Sequence, residues 1–350
     1  MTVSYVDLAC ERAGVTPAEW DALVQSSGNV FATRLWLDTW YRQLGFGREV
    51  TAVAARADDG RLVGLLPLIV ERRHPRVLLP AGLWPPPAGP IVSTSADLGD
   101  AAHRLAGELK RSGHWDVLMA AALPVEAGWR DELRAFPRGR EHNRVIAFGG
   151  MNAEQWFASR SRNFRKQTRK RDERLAAAFD VRYRRTEDPA RLDADLDVLF
   201  GLHDKRYGEG STGLSRDREG FHREISASAL ERGWLALWFI ELDGRAVAGN
   251  LHFRYEGIEH SYQTGRDEQF EEVNAGVALV TQTVRAAADE GIDEFHFLHG
   301  DQEFKRRLAT DDRPVETLAV SSGLMGDAAL GGLALMSRAE SLLVSVVSML

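Results

Sequence analysis

The pattern of apolar and polar positions repeats itself along this chain. Residues 51–68 form an apolar run, an Asp59-Gly60 turn and a second apolar run, a pattern that predicts a β-hairpin. Residues 234–251 show the same order around Asp243-Gly244, and in both copies the glycine is followed by Arg-x-Val. The copies lie roughly 180 residues apart, a spacing typical of repeated domains rather than of short solenoid repeats.

Helix patterns flank both hairpins in the same order. A helical stretch with an aromatic stripe precedes each hairpin, and a helix, a glycine and a short strand follow it. In the first half these segments are 31–44, 97–112, Gly113 and 115–121; in the second they are 192–207, 276–290, Gly291 and 294–298. The order predicts an α/β chain that arose by tandem duplication.

This duplication sets the expected domain boundaries. We predict an N-terminal domain over 1–145, a second domain over 146–322 and a helical tail over 323–350. Within the tail, residues 337–349 have the spacing of an amphipathic helix, which could pack on the protein itself, on a partner or on a membrane surface.

Composition narrows the functional classes. The chain has 350 residues, enough for two stable domains, and its formal net charge of -7 argues against extensive binding of nucleic acid such as DNA. Cys10 is the only cysteine, so no intrachain disulfide can form, and no Cys/His spacing indicates a metal site. The N-terminus lacks the features of a secretory signal, and charges interrupt every apolar run before membrane-spanning length. We expect a cytoplasmic protein without a metal or a transmembrane segment.

The two halves differ where their last strands end. In the first half the strand runs into Ala120-Ala121-Ala122-Leu123-Pro124, which offers no ionisable group. In the second half, the strand pattern from Phe295 breaks at Gly300 and is followed at once by Asp301, Phe304 and Lys305. Because open α/β sheets bind ligands at the carboxyl ends of their strands, the second half is the catalytic candidate.

A helix start upstream of this strand is suited to a phosphate. The segment Asn274-Ala275-Gly276-Val277 opens the predicted helix, and the first amides of a helix lack partners within the helix and lie at its positive dipole end. Asn274 can equally be an ordinary N-cap residue, and the two interpretations are compatible.

With these elements in place, the second half resembles the GNAT acyltransferase fold. More narrowly, Gly300-Asp301-Gln302-Glu303-Phe304-Lys305-Arg306-Arg307-Leu308 resembles the Gly-x-x-x-aromatic-Lys motif of the CelD/BcsL-like acetyltransferases, which are related to the FemABX aminoacyltransferases. The best-matching stretch is 153–318, and the duplication extends the likeness over most of the chain. The resemblance implies tandem GNAT-like domains, each a mixed, mostly antiparallel sheet flanked by helices.

The same resemblance implies acyl transfer. The usual donor is an acyl-CoA, commonly acetyl-CoA, and the acceptor is an amine or hydroxyl of a small molecule or saccharide; in FemABX-like relatives the donor is an aminoacyl-tRNA. The pyrophosphate loop of GNAT proteins, Arg/Gln-x-x-Gly-x-Gly/Ala, corresponds here to Glu272-Val273-Asn274-Ala275-Gly276-Val277, which departs from the pattern. Both donors, and a non-catalytic interaction protein on a GNAT scaffold, therefore stay open.

Four residues are candidates for the chemistry. Lys305 could pair with a phosphate or stabilise the oxyanion of a tetrahedral intermediate, or it could be a surface lysine. Asp301 could accept or orient a proton, or cap a helix. His252 suits a general base at neutral pH, although a strand histidine is more often packed and hydrogen-bonded. Tyr262 is a candidate acid or acceptor contact.

Further residues are candidates for binding. Asn250 shares a strand face with His252, and in the resembled fold an acyl-CoA lies beside this strand. Arg206 and Tyr207, at the end of the aromatic helix, could contact the acceptor, although cations at a helix end also complement its dipole. A dense basic run includes Arg165, Lys166 and Arg169 at helical spacing, which could bind a nucleotide phosphate or a tRNA backbone, or could form a solvated helix face.

Overall fold

The computed structural model describes residues 4–82, 89–92, 97–113, 115–208 and 213–336. The chain divides into two compact units, one made of 142–313 and the other of 1–141 together with 314–350. The amphipathic helix predicted at 337–349 lies outside the described residues. The two units differ from the predicted domains mainly at residues 315–321, which belong to the first unit and not to the end of the second.

The helices are α1 Tyr5–Ala13, α2 Pro17–Ser27, α3 Arg34–Trp40 with a π-turn over Tyr41–Gly45, α4 Leu98–Ser112, α5 Trp129–Leu133, α6 Ala153–Ser159, α7 Arg162–Ala178, α8 Pro189–Tyr207, α9 Glu219–Glu231, α10 Ala275–Asp289, α11 Glu303–Leu308 and α12 Gly323–Met336. The strands are β1 Glu49–Arg56, β2 Leu62–Arg73, β3 Arg76–Pro80, β4 Ile91–Val92, β5 Val117–Pro124, β6 Phe136–Glu141, β7 Asn143–Ala147, β8 Val181–Arg185, β9 Leu235–Leu242, β10 Arg245–Tyr255, β11 Ile258–Arg266, β12 Glu294–His299, β13 Asp311–Asp312 and β14 Val315–Ser321.

The sheet of the first unit has the order β1-β2-β3-β5-β14-β6, with β4 paired to β2. The predicted hairpin is present as the antiparallel pair β1 and β2. Strand β14 arrives from the far end of the chain and pairs antiparallel with both β5 and β6. The first unit is therefore discontinuous in sequence.

The sheet of the second unit has the order β13-β7-β12-β11-β10-β9-β8. The predicted hairpin is the antiparallel pair β9 and β10, with Asp243 at φ 51° and Gly244 at φ 77°. Positive φ at both turn positions is the type I′ geometry that Asp-Gly favours, because its twist matches that of the strands. Strands β11 and β12 are parallel and are joined through α10.

Alternation along the strands sends neighbouring side chains to opposite faces of this sheet. Trp238, Ile240 and Ala248 pack in one core cluster with Ala278 and other residues of α10. Gly249, the next residue on β10, lies instead where an added Cβ would meet Leu199 of α8 at 3.1 Å. Helix α10 thus covers one face, and α8 covers the other.

Candidate functional site

Strands β11 and β12 separate after a short paired segment. The ladder joins Ile258 to Glu294, Glu259 to Phe295 and His260 to His296, and no further pair links these two fully described strands. Strand β11 nevertheless continues to Arg266 and β12 to His299. A gap between the two strands therefore opens toward their carboxyl ends, where ligands bind in open α/β sheets.

Lys305 belongs to α11, and its side chain reaches back to the end of β12, which borders this gap. Its side chain is largely buried, with the residue 8% exposed, and Nζ donates to the backbone oxygens of Phe297 at 3.0 Å and His299 at 2.5 Å. The strand turns sharply here, with Leu298 at φ 54° and Gly300 at φ 105°. The sequence motif therefore brings a buried ammonium to the carbonyl groups of the diverging strand.

Asp301 is held by cations. Its carboxylate accepts from Arg144 at 2.8 Å and from Arg306 at 2.7 Å, and His142 Nε2 is 3.8 Å away. The hydrogen bond from Arg144 is the largest cause that holds the pKa of Asp301 below its usual range. Helix α11 has Gln302 at its N-cap position, so Asp301 is an ionised ion-pair partner and not the cap.

Tyr262 forms a pair with a histidine that the sequence did not single out. Its hydroxyl lies 3.2 Å from His222 Nε2 of α9, and its ring contacts Phe253 edge to face. His222 is fully buried, and burial lowers its pKa to about 3. Nothing around His222 in the sequence distinguishes it from a core position of a helix, so only the fold reveals the pair.

Arg206 lies beside the same stretch of β11. Its Nη1 donates to Thr264 Oγ1 at 2.8 Å, and its guanidinium stacks on Tyr207 at 4.6 Å from the ring centroid. Arg206 forms no ion pair with a carboxylate among the described residues, and burial lowers its pKa. His203 Nδ1 lies 3.0 Å from the backbone oxygen of Thr264. The end of α8 therefore packs against β11, the strand that lines the gap.

The start of α10 lies at the same edge of the sheet. Its first backbone hydrogen bond joins Ala278 N to Asn274 O, so the amides of Ala275, Gly276 and Val277 have no backbone acceptor among the described residues. Asn274 is at the N-cap position in the left-handed region, but its side chain does not cap the helix. Asn274 therefore occupies the predicted N-cap position but does not form the side-chain hydrogen bond that usually caps a helix. A small cavity of about 20 Å³ adjoins these residues.

His252 and Asn250 face the other side of the sheet. Asn250 pairs with Trp238 of β9, and His252 pairs with Ala236. Trp238 and Ala236 pack against α10, and paired residues share a face of the sheet, so Asn250 and His252 face α10 as well. His252 is fully buried and its Nδ1 contacts Glu259 at 2.7 Å. The structure therefore does not bring His252 together with Tyr262: His252 is buried in the core, whereas Tyr262 of β11 is partly exposed.

The basic run forms an exposed face of α7. Among the described residues, no carboxylate pairs with its cations, which are Arg162, Arg165, Lys166, Arg169, Lys170 and Arg174. Arg165 is partly covered and donates to the Ala158 oxygen at 2.7 Å, and Arg169 lies over the Phe157 ring. The neighbouring Arg171 is buried and paired with Asp172, so the free charge is confined to the outer side of the helix.

The described residues contain no group of three or more His, Cys, Asp or Glu side chains arranged to hold a metal ion. Every helix among them is too short or too polar to cross a membrane.

Comparison with solved structures gives matches over most of the chain. The crystal structure of FemX matches with a TM-score of 0.59 and 15% identity, covering 86% of this chain and 96% of that one. The structure of L-PGS from Bacillus licheniformis matches with a TM-score of 0.52 and 13% identity, covering 92% of this chain and 97% of that one. At these identities the likeness shows the fold alone. It confirms the predicted tandem GNAT-like architecture of two mixed sheets flanked by helices.

Sequence comparison is more specific. No curated protein sequence matches the chain. Residues 162–306, which include β8 to β12, the gap and Lys305, match the family model described as an acetyltransferase (GNAT) domain. The second unit of this chain therefore contains a GNAT acetyltransferase domain of the CelD/BcsL-like family.

Proposed function

We propose that the second unit transfers an acyl group from an acyl-CoA, with acetyl-CoA as the first donor to test, to an amine or hydroxyl of a small-molecule or saccharide acceptor. The observation that carries this proposal is the gap between β11 and β12: the Lys305 ammonium is bound at the end of β12, and β11 leads into the start of α10. An extended thioester arm fits a gap between two strands, because backbone groups of both strands can bind it.

The start of α10 and Arg206 would hold the phosphates of the donor. Three helix amides form an anion-binding end, and within the described part of the chain they have no backbone acceptor. Arg206 supplies a cation that no described carboxylate pairs with. Glu271 also lines this region, but Arg266 pairs with it at 2.8 Å and offsets its charge. This arrangement needs no glycine-rich loop, which fits the departure of residues 272–277 from the usual pattern.

Lys305 would act through its charge. Its ammonium is fixed on two carbonyl oxygens of β12, in surroundings that exclude most water. A fixed positive charge beside the gap favours the negative oxygen that develops when a nucleophile adds to the thioester carbonyl. Asp301, held ionised by two guanidiniums, would keep Arg144 and Arg306 in place rather than remove a proton from the acceptor.

Donor binding tests this function directly. We expect acetyl-CoA to raise the melting temperature of the purified protein and to release free thiol when a panel of amines is added. Arg206→Ala should reduce the thermal shift, whereas Arg182→Ala, which removes an exposed arginine of β8, should leave it unchanged. Absence of any shift and of thiol release across a panel of acyl-CoA thioesters would overturn the proposal.

A second candidate is an aminoacyl-tRNA-dependent transferase, and the exposed basic face of α7 favours it. Six cations of α7, unpaired with any carboxylate that the structure describes, form a local surface for a phosphate backbone in a chain of net charge -7. The combined substitution of Arg165, Lys166 and Arg169 by alanine should abolish salt-sensitive tRNA binding. A matched triple substitution of the exposed Arg12, Arg61 and Arg111 removes the same charge elsewhere and should preserve binding. Equal loss in both variants would show non-specific attraction and exclude this candidate.

A further inference from the structure

A bulge in the β10–β11 ladder places Tyr262 next to the gap. Leu251 lies opposite Gln263 and His252 opposite Ser261, so Tyr262 is the additional residue on β11. It follows the last residue paired with β12, His260, by two positions, and it is partly exposed. Bulges re-aim side chains and are over-represented beside active sites.

The contacts of His222 define which of its ring nitrogens carries the proton. Nδ1 lies 2.8 Å from the backbone oxygen of Arg218, and a carbonyl oxygen can only accept a hydrogen bond. Nδ1 therefore carries the hydrogen of the neutral ring, and Nε2 is an acceptor. The partner 3.2 Å from Nε2 is the Tyr262 hydroxyl, which must donate.

The packing of His222 holds this arrangement in place. The residue is 0% exposed, and its ring contacts Phe200, Phe221 and the Tyr262 ring. The ionisable groups that act on it are Arg218, His203 and Asp217, and burial outweighs them in lowering its pKa. A ring that stays neutral keeps Nε2 available as an acceptor over the ordinary pH range.

We propose that His222 is a positioning residue that fixes the polarity of the Tyr262 hydroxyl. Because the phenolic hydrogen is directed to Nε2, the oxygen lone pairs are directed away from His222. Tyr262 then accepts a hydrogen bond from the N–H or O–H of the acceptor and aligns its nucleophilic lone pair with the donor carbonyl. This inference rests on the proposed acyl transfer and assigns Tyr262 to acceptor orientation rather than to protonation of the leaving thiolate.

Nitrogen-15 NMR of the imidazole tests the hydrogen-bond polarity without any substrate. In the intact protein near neutral pH, we expect His222 to give the signals of the Nδ1–H tautomer. Tyr262→Phe should move the Nε2 resonance because it removes the donor, whereas Tyr183→Phe, the same change on β8, should leave it in place. A His222 ring protonated on Nε2 would overturn the inference.

Kinetics test the consequence for catalysis. With acetyl-CoA and an amine that the protein acetylates, Tyr262→Phe and His222→Phe should raise the acceptor KM by about tenfold, the worth of one hydrogen bond, and leave the donor KM unchanged. His222→Gln retains an acceptor for the hydroxyl and should restore the acceptor KM. An unchanged acceptor KM in both phenylalanine variants, or no restoration by glutamine, would contradict the inference. If no thioester supports turnover, the proposed function fails, and the NMR result alone decides the role of His222.

Discussion

At the scale of single residues, the site depends on charged and polar groups that the core holds in fixed positions. Lys305 is the clearest case, because its two carbonyl partners, Phe297 and His299, belong to the strand that borders the gap. Its ammonium is thus both a structural cap for the end of β12 and a source of positive potential. Removing it should affect stability and catalysis together.

We predict that Lys305→Met lowers the free energy of unfolding by about 1–3 kcal/mol, because two carbonyl oxygens at the end of β12 lose their donor. Turnover should fall by about 10²-fold or more through loss of the fixed charge. Chemical denaturation and steady-state kinetics measure the two effects. Lys110→Met is the matched control, since Lys110 also donates to a backbone oxygen, that of Glu132, but is exposed. Equal effects of the two substitutions would contradict the prediction.

The burial of His222 predicts that the stability of the protein depends on pH. Its pKa falls from 6.5 to about 3 on folding, so the unfolded chain binds more protons than the folded one between these values. Stability is therefore greatest above pH 6.5 and is lost as the pH falls through this window. Between about pH 7.5 and about pH 5, the protein should lose about 2 kcal/mol more than its His222→Gln variant. Urea unfolding at both pH values checks this, and parallel losses in the two proteins would refute it.

At the scale of elements, the close packing of α8 on β11 positions Arg206 and His203 against the gap. Gly265 makes this approach possible: a Cβ there would lie 2.5 Å from the backbone nitrogen of His203 and 2.7 Å from the backbone carbon of Leu202. Backbone atoms cannot rotate aside as a side chain can, so the helix itself would have to move.

We therefore predict that Gly265→Ala destabilises the protein by about 1–3 kcal/mol, the usual cost of overpacking. It should also weaken donor binding, because displacement of α8 moves Arg206. Gly201→Ala is the control on α8: no atom lies within 4 Å of its added Cβ, and alanine favours a helix by about 0.5–1 kcal/mol. Thermal unfolding and the acetyl-CoA shift of both variants provide the comparison. A neutral Gly265→Ala would show that α8 does not depend on this approach.

At the scale of the whole molecule, the two units differ in how the chain supplies their strands. The second unit draws all seven strands of its sheet from 142–313. The first unit needs β14, which lies between β5 and β6 in its sheet. A strand with neighbours on both sides cannot be removed without leaving two sets of backbone groups unsatisfied.

We predict that a protein ending at Arg313 loses the cooperative unfolding transition of the first unit and keeps that of the second. The fragment 142–313 should unfold at a higher temperature than 146–322, because the latter lacks most of β7 and carries β14 without its partners. Calorimetry of the three proteins tests this. Retention of both transitions after truncation at Arg313 would show that β14 is dispensable.

The sequence alone determined those features that depend on neighbouring residues. Asp-Gly turns between apolar runs predicted both hairpins, and glycines after the helix patterns predicted the ends of α4 and α10. The motif from Gly300 to Leu308 singled out Lys305 and indicated the acetyltransferase family. These signals are local because turn geometry and strand alternation are set within a few residues.

Only the tertiary structure decided which distant groups meet. The pairing of Tyr262 with His222 joins residues 40 positions apart, and neither position carries a local signal of it. Similarly, the sequence made both His252 and Tyr262 candidates for the chemistry, yet the two residues lie on different faces, because one bulged residue changes the alternation along β11. The sequence also did not predict that β14 pairs with β5 and β6 in the sheet of the first unit, since the pattern of a single strand does not specify which sheet it joins. These contacts arise from long-range packing, which the apolar pattern permits but does not specify.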